Sequence, residues 1–432
     1  MRLLPCILCF APLIAFCEEV HVIDLSTTMR LAGARNLDIQ IARQQLKEAK
    51  ARHDAALEQF LPWLSPGVSV HNVNGIGQST PSGFISDANY YAYSPGAGLA
   101  ASADIGDALY ETLAAKQQWA ASAHALESRR QSSVLSAVEA YFDLARLAAT
   151  ASTAQEALEI SRDYEKELRE AVGLGIAFKG DELRVRAQGD RFDLELRQSA
   201  EQQRVAAARL AESLHLDALV ELRAQASDLV PLNLVDTNAP LETLARDALH
   251  SRPEMKQSRA LLAAAHEVKN GAVYGPMIPS LNARAFGGGL GGGPDSGPAT
   301  FGGVADESAS LTWRLGPGGL FDYPRIHVAQ AQYEVVRLDG EKLRDQIVRE
   351  VVESRTRVDS LRGQIAVARE TLDAAGEALR LTQQRKQFGV GNVLENIQAQ
   401  QDLARAKADY LTAVAEYNKA QYELTRALGN LP

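Results

Sequence analysis

Two stretches of about 66 residues, 107–172 and 323–388, read as single helices, and helices of that length suggest coiled coils rather than a globular fold. Each is followed by a further helix, at about 181–215 and 394–428. Each is preceded by a shorter helix, at about 26–59 and 240–275, with two strands in between. The two shorter helices of the first half total roughly 69 residues. Stacked end to end they match the long helix at roughly 100 Å, at ~1.5 Å per residue. In the last helix Leu403, Tyr410, Tyr417 and Leu424 recur every seven residues, and Val414 and Leu428 extend the same face. Heptad spacing of this kind favours supercoiled packing against neighbouring helices.

The plan is used twice. Asn36-Leu37-Asp38 and Arg252-Pro253-Glu254 open corresponding helix bodies, which stop at Phe60-Leu61-Pro62 and Met277-Ile278-Pro279. Ala137-Val138-Glu139 echoes Val351-Val352-Glu353, and Arg186-Ala187-Gln188 echoes Gln398-Ala399-Gln400. The halves end alike, in Leu214-His215-Leu216 and Leu428-Gly429-Asn430. Matches in constant order at a nearly constant offset point to duplication, with repeats at about 24–235 and 236–432.

The N-terminus reads as an export signal over residues 1–17. Arg2 forms a basic start, Leu3 to Phe16 is apolar but too short to span a bilayer, and Glu18 and Glu19 follow. Ala15 and Cys17 suit cleavage after Cys17; acylation of Cys17 is the alternative, although Phe16 is bulky for the residue before a lipidated cysteine. All three cysteines (Cys6, Cys9, Cys17) lie here, so cleavage leaves a chain without a disulfide or thiolate metal site. No later apolar run is long enough for a transmembrane helix. An exported chain of this kind is then periplasmic, secreted or an outer-membrane β-barrel. The net charge of -9 argues against a nucleic-acid partner.

The strands favour the barrel. Leu99, Ala101, Ala103 and Ile105 alternate with Ala100, Ser102 and Asp104; Ala309, Leu311 and Trp313 alternate with Ser308, Ser310 and Thr312. Period-two alternation supplies one lipid-facing and one lumen-facing side. Four strands per chain cannot close, and open edges in lipid are not viable, so closure demands a homo-oligomer; three chains supply twelve strands. Polar loops are expected at about 78–88 and 291–305, with the glycines of 287–303 read as loop or strand-end flexibility. Tyr90, Tyr91 and Tyr93 are expected at the outer rim, and Trp63 and Trp313 in the opposite, periplasmic girdle.

The order of elements and the helix lengths resemble the TolC-type outer-membrane efflux family over nearly the whole chain. The resemblance implies a homotrimer: a twelve-stranded β-barrel continued by a long α-helical barrel in the periplasm, forming a passive channel. It also implies partners, namely a periplasmic adaptor and an inner-membrane pump, and outer-membrane lipid around the barrel. Val172-Gly173-Leu174 and Val390-Gly391-Asn392 match the Val-Gly tips at which the family meets its adaptor, the first tip reading as two to four residues longer. Glycine there also suits simple helix termination. Glu395 matches the first of two acids that line the family's closed aperture, and Gln398 stands where the second is expected. Asp181 is placed to cap the helix after the first tip or to bond across to the neighbouring hairpin.

No catalytic residue, metal site or cofactor is expected. The eight histidines are scattered without HExxH spacing, and no GxSxG elbow occurs. The rival function is the periplasmic adaptor, a structural linker, which is expected to carry one helical hairpin where this chain has two.

Overall fold

The computed structural model describes residues 21–78, 85–217, 220–225, 229–236, 239–294, 299–387 and 392–431. The signal segment with its three cysteines, Val390 and Gly391, and parts of both expected loops lie outside these. In chain order the elements are β1 (His21–Ile23), α1 (Leu25–Arg35), α2 (Leu37–Glu58), β2 (Trp63–Val73), β3 (Ile76–Gln78), β4 (Ile85–Asp87), β5 (Tyr90–Ala103), α3 (Ile105–Gly173) and α4 (Lys179–Ser213). There follow β6 (Leu222–Ala224), α5 (Leu241–Ser251), α6 (Pro253–Tyr274), β7 (Ser280–Pro294), β8 (Thr300–Thr312), α7 (Tyr323–Gln387) and α8 (Val393–Ala427). The chain divides into two compact units: Met1–Ile41, Ser128–Arg252 and Ile347–Pro432 form one, Ala42–Glu127 and Pro253–Gln346 the other.

The long helices and their partners fall within a few residues of their expected bounds. The first helix of each half, expected to be continuous, is broken. Asn36 is extended at ψ 133, and its side-chain oxygen accepts from Asp38 N at 2.8 Å, so the residue that ends α1 also caps α2. Arg252 is extended at ψ 130 because Pro253 follows it and disfavours the helical region for the residue before.

In the first unit α3, α4 and the ends of α8 close on Tyr141, Phe142, Leu144, Leu210 and Leu214, all essentially inaccessible. The parallel pair β1–β6 lies beside this cluster, contributing Ile23 and Leu222. An extended segment near residues 230–235 runs along α8. Asn418 Oδ1 accepts from Leu232 N at 2.9 Å and its Nδ2 donates to Val230 O at 2.8 Å. Gln421 Oε1 accepts from Leu234 N at 3.1 Å, and Tyr417 donates to Asn233 at 2.7 Å. Asn418 and Gln421 have no exposure at all, and the segment's backbone satisfies them.

The second unit holds an antiparallel sheet in the order β2-β5-β7-β8. Its strands, of 11 to 15 residues, are longer than the alternating stretches expected from sequence and reach or exceed the ~9–11 residues that cross a bilayer. The first expected polar loop contains a small ribbon, β3–β4. The glycines from Gly287 to Gly292 are strand residues rather than loop. A side chain on Gly291 would collide with the rings of Tyr93 and Phe301, whose centroids lie 6.0 Å apart, and one on Gly96 would collide with Phe286. Bare backbone lets aromatic side chains from the neighbouring strand lie across it.

Where strand gives way to helix, the backbones of Gly106 and Gly275 touch: a Cβ on Gly106 would lie 2.0 Å from Gly275 O. Beside them Arg325, at the start of α7, donates to Asp107 of α3 at 2.7 Å, and Ser280 donates to Asp104. Among the described residues no helix is long and apolar enough to cross a membrane.

Candidate functional site

Two regions carry the expected functional residues: the helix ends around residues 172–181 and 392–398, and the sheet.

α3 ends in a Schellman motif. Ile176 N donates to Ala171 O at 3.0 Å and Gly175 N to Val172 O at 3.0 Å, with Gly175 at φ 74. Gly175, not Gly173, is therefore the glycine the turn requires; the sequence reading assigned the stop to the wrong residue. Gly173 is the last helical residue, and a Cβ there would meet nothing. Val172 is half-buried and Leu174 is 76% exposed. Ile176 (78%) and Phe178 (73%) are equally bare, so the tip presents three large apolar side chains. The sequence reading missed the last two, although an apolar residue at every second position through a turn was the available signal.

The first tip leaves five residues, 174–178, between its helices; the expectation that it is the longer one falls on residues 388–391, outside the described residues. Counted back along the sequence from the starts of α4 and α8, Ile176, Ala177 and Phe178, rather than Val172-Gly173-Leu174, correspond to Val390, Gly391 and Asn392. Of the latter three only Asn392 is described: its side chain caps α8 by accepting from Leu394 N at 3.0 Å. Asp181 does not cap α4. The cap position is Phe178, two residues before Gly180, and Asp181 in the first turn pairs with Arg184 at 3.4 Å.

Glu395 is half-exposed at the start of α8 and ion-pairs with Arg385 of α7 at 2.9 Å. Gln398 donates to Asp402 at 3.0 Å along the same helix. Behind them Tyr164, Leu168, Val185 and Ile397 join α3, α4 and α8. Burial, with the Glu167 and Asp181 carboxylates adding to it, pushes the Tyr164 phenol up to about 12. A glutamine pair, Gln401 donating to Gln188, ties α8 to α4.

Farther along the same helices, α8 holds both its neighbours by charge. Lys419, nearly buried, reaches Asp143 of α3 at 2.6 Å and Glu416 at 2.9 Å. Arg357 of α7 reaches Glu416 at 2.8 Å and Glu423 at 3.1 Å. Burial pushes the Glu139 carboxyl above the ordinary range, and Glu423 and Asp143 add to this while Lys419 and Arg357 oppose it. Burial acts in the same direction on Glu416, but Lys419 and Arg357 outweigh it and hold that carboxyl low. An open trough of about 1100 Å³ lies alongside, lined by Arg129, Ser133, Glu139, Arg146 and Arg209. Among the described residues no His, Cys, Asp and Glu cluster has the makings of a metal site.

In the sheet, one face carries Leu64, Val68 and Val70 of β2, Tyr91, Tyr93, Ala97 and Leu99 of β5, and Phe301, Ala309 and Leu311 of β8, as the register requires. Ser65, Ser69, Ser94, Ser102, Asn282, Ser308 and Ser310 lie on the other. Tyr91 and Tyr93 stack at 6.5 Å, at the end of β5 remote from Trp63; Tyr90 falls on the opposite face. Register links Trp63 to Ala100, Ala100 to Arg284, and Arg284 to Ser308. Trp313 lies five residues beyond Ser308. The two tryptophans are thus staggered by ~16 Å along the strands, and they fall on opposite faces: Trp63 lies with Ser65 and Ser308, and Trp313 continues the face of Leu311, so the expected shared girdle does not hold for Trp63.

The sequence model of a family described as outer membrane efflux protein matches residues 28–215 and 244–430. No curated protein matches the chain by sequence. The outer membrane channel CmeC of Campylobacter jejuni resembles it with a TM-score of 0.77 at 18% identity, over 94% of this chain and 85% of that one. The outer membrane protein VceC of Vibrio cholerae gives 0.76 at 18%, over 94% and 96%. The MtrE outer membrane channel of Neisseria gonorrhoeae, in its open state, gives 0.72 at 19%, over 94% and 89%. At these identities the likeness concerns the fold.

Proposed function

This chain belongs to the outer membrane efflux protein family, as a channel subunit rather than an adaptor, and from that premise we propose that three copies form one passive export duct across the outer membrane. The observation that carries the reading is the sheet. It has one face that is apolar except for Asn72 and Glu307 and one face rich in serine, and its outer strands β2 and β8 have no partner on their far edges among the described strands. Unpaired edges cannot persist in lipid, so the strands must pair with those of further copies. Tyr91 and Tyr93 then form the outer rim and Trp313 the periplasmic girdle, whereas Trp63, on the serine-rich face, turns to the lumen. Leu174, Ile176 and Phe178 offer an apolar end for a periplasmic adaptor, through which an inner-membrane pump supplies the energy. Glu395 lines the aperture, with Arg385 as its counter-charge. The two halves of the chain are duplicated copies of one unit.

Native mass measurement of detergent-extracted protein, followed by recording in planar bilayers, tests this. A trimer that conducts is expected. A stable monomer in the membrane would overturn it.

A further inference from the structure

The two passages from strand to helix are built differently. Between β5 and α3 a single residue, Asp104, intervenes, whereas between β8 and α7 there are ten, Trp313 to Asp322. The longer passage is locked. Gly316 N donates to Leu320 O at 2.8 Å, Leu320 N to Arg314 O at 2.9 Å and Gly319 N to Gly316 O at 2.9 Å. Asp322 accepts from Gly318 N at 2.7 Å and from Arg325 N at 3.2 Å, and Trp313 Nε1 donates to Met277 O at 3.2 Å.

This rigid loop exposes apolar groups. Leu315 is 69% and Phe321 68% exposed, with Trp313 and Tyr323 beside them. Phe321 moreover sits at φ 71, a left-handed conformation that strains a bulky residue. In water both the strain and the exposure oppose phenylalanine at this position, and glycine would relieve both. A surface that takes up the ring reverses the balance. Alternation along β8 carries the apolar row Phe301, Ala309, Leu311 through Trp313, just past the strand end.

We propose that Trp313–Tyr323 is a membrane anchor, dipping Leu315 and Phe321 into the interfacial lipid of the periplasmic leaflet. The proposal rests on the sheet being a lipid-facing barrel wall; the occupant is lipid because the loop continues the sheet's apolar face past the strand end. A fixed aromatic wedge there holds the start of α7 at a set depth through Asp322 and Arg325.

The test uses the full-length trimer with Cys6, Cys9 and Cys17 replaced by alanine, and a nitroxide label on Phe321→Cys or, separately, Leu315→Cys. It is reconstituted in vesicles of phosphatidylethanolamine and phosphatidylglycerol. Collision with oxygen and with a water-soluble nickel chelate is compared with labels at Val68→Cys and Leu174→Cys. Oxygen should dominate at 321 and 315, as at 68, and the chelate at 174. Chelate access at 321 and 315 would mean a loop in water, and exclusion of both quenchers a contact with a second copy; either overturns the anchor. Trimer mass and conductance on the same samples separate that failure from failure of the barrel itself, which is reported by chelate access at residue 68.

Discussion

The amide of Asn36 donates to the backbone carbonyl of Ser213 at 3.0 Å, joining the break between α1 and α2 to the end of α4, 177 residues away. In the second half the Ser251 hydroxyl donates to Leu428 O across the same separation, joining the break between α5 and α6 to the end of α8. Each tie satisfies a carbonyl in the last turn of a helix that would otherwise lack a partner. Asn36→Ala should lower stability by about 2 kcal/mol, because it removes the cap on Asp38 N as well as this tie. Ser251→Ala should cost about 1 kcal/mol, the usual net value of one such bond. Chemical unfolding of the purified protein checks both; unchanged midpoints would make the contacts incidental.

The same joints contain a mismatch. α8 ends with Gly429 at φ 77, whereas α4 ends with His215 at φ 53 in the equivalent place. Histidine gains nothing from that conformation, so His215→Gly should stabilise the fold by roughly 0.5–1 kcal/mol. Gly429→Ala should destabilise it by more, because a Cβ there lies 2.9 Å from the Arg252 backbone. Opposite shifts in melting temperature are the expected pair.

The tips should separate folding from docking. Gly175→Ala strains a left-handed turn and should cost about 1 kcal/mol, while Gly173→Ala should be tolerated. Ile176→Ser and Phe178→Ser should leave trimer and conductance intact yet abolish export in cells. Normal export from the double variant would remove the apolar tip from adaptor binding.

If Glu395 lines the aperture as proposed, its ion pair with Arg385 at 2.9 Å offsets its charge there. Arg385→Gln should strengthen cation preference and block by divalent ions from the periplasmic side; Glu395→Gln should weaken both. Single-channel recordings that do not distinguish the two variants would place the selectivity elsewhere in the lumen.

Glu139 predicts a pH dependence. Its carboxyl is raised in the folded state, so its contribution is full below the unfolded value near 4.5 and is lost as pH rises through the folded value. Glu139→Gln should therefore match wild type at pH 4 and become progressively more stable than it towards pH 8. Glu416, held low, works in the opposite sense and is lost on acidification. Melting curves of Glu139→Gln and wild type that stay parallel across this range would show Glu139 to be solvated.

By itself the sequence determined the element order, the helix lengths and the heptad face through Tyr417 and Leu424, because periodicity is a local property of the chain. It determined the offset between halves as well, down to His215 opposite Gly429. Only the tertiary structure decided the rest. Asn418 and Gln421 are polar residues on α8 that no sequence pattern marks for burial, yet a segment nearly two hundred residues earlier buries them completely. The glycines of β7 read as a flexible loop, yet they make room for Tyr93, Phe286 and Phe301, a need that exists only once strands are in register. Glu395 is legible as an acid at the start of α8, but its partner Arg385 lies on α7 and is met only in the folded chain. Gly173 and Gly175 differ in backbone angle, not in identity, and no spacing rule distinguishes them. Local pattern sets where elements begin and end; partners distant in sequence decide which polar groups lie buried and which apolar ones stay bare.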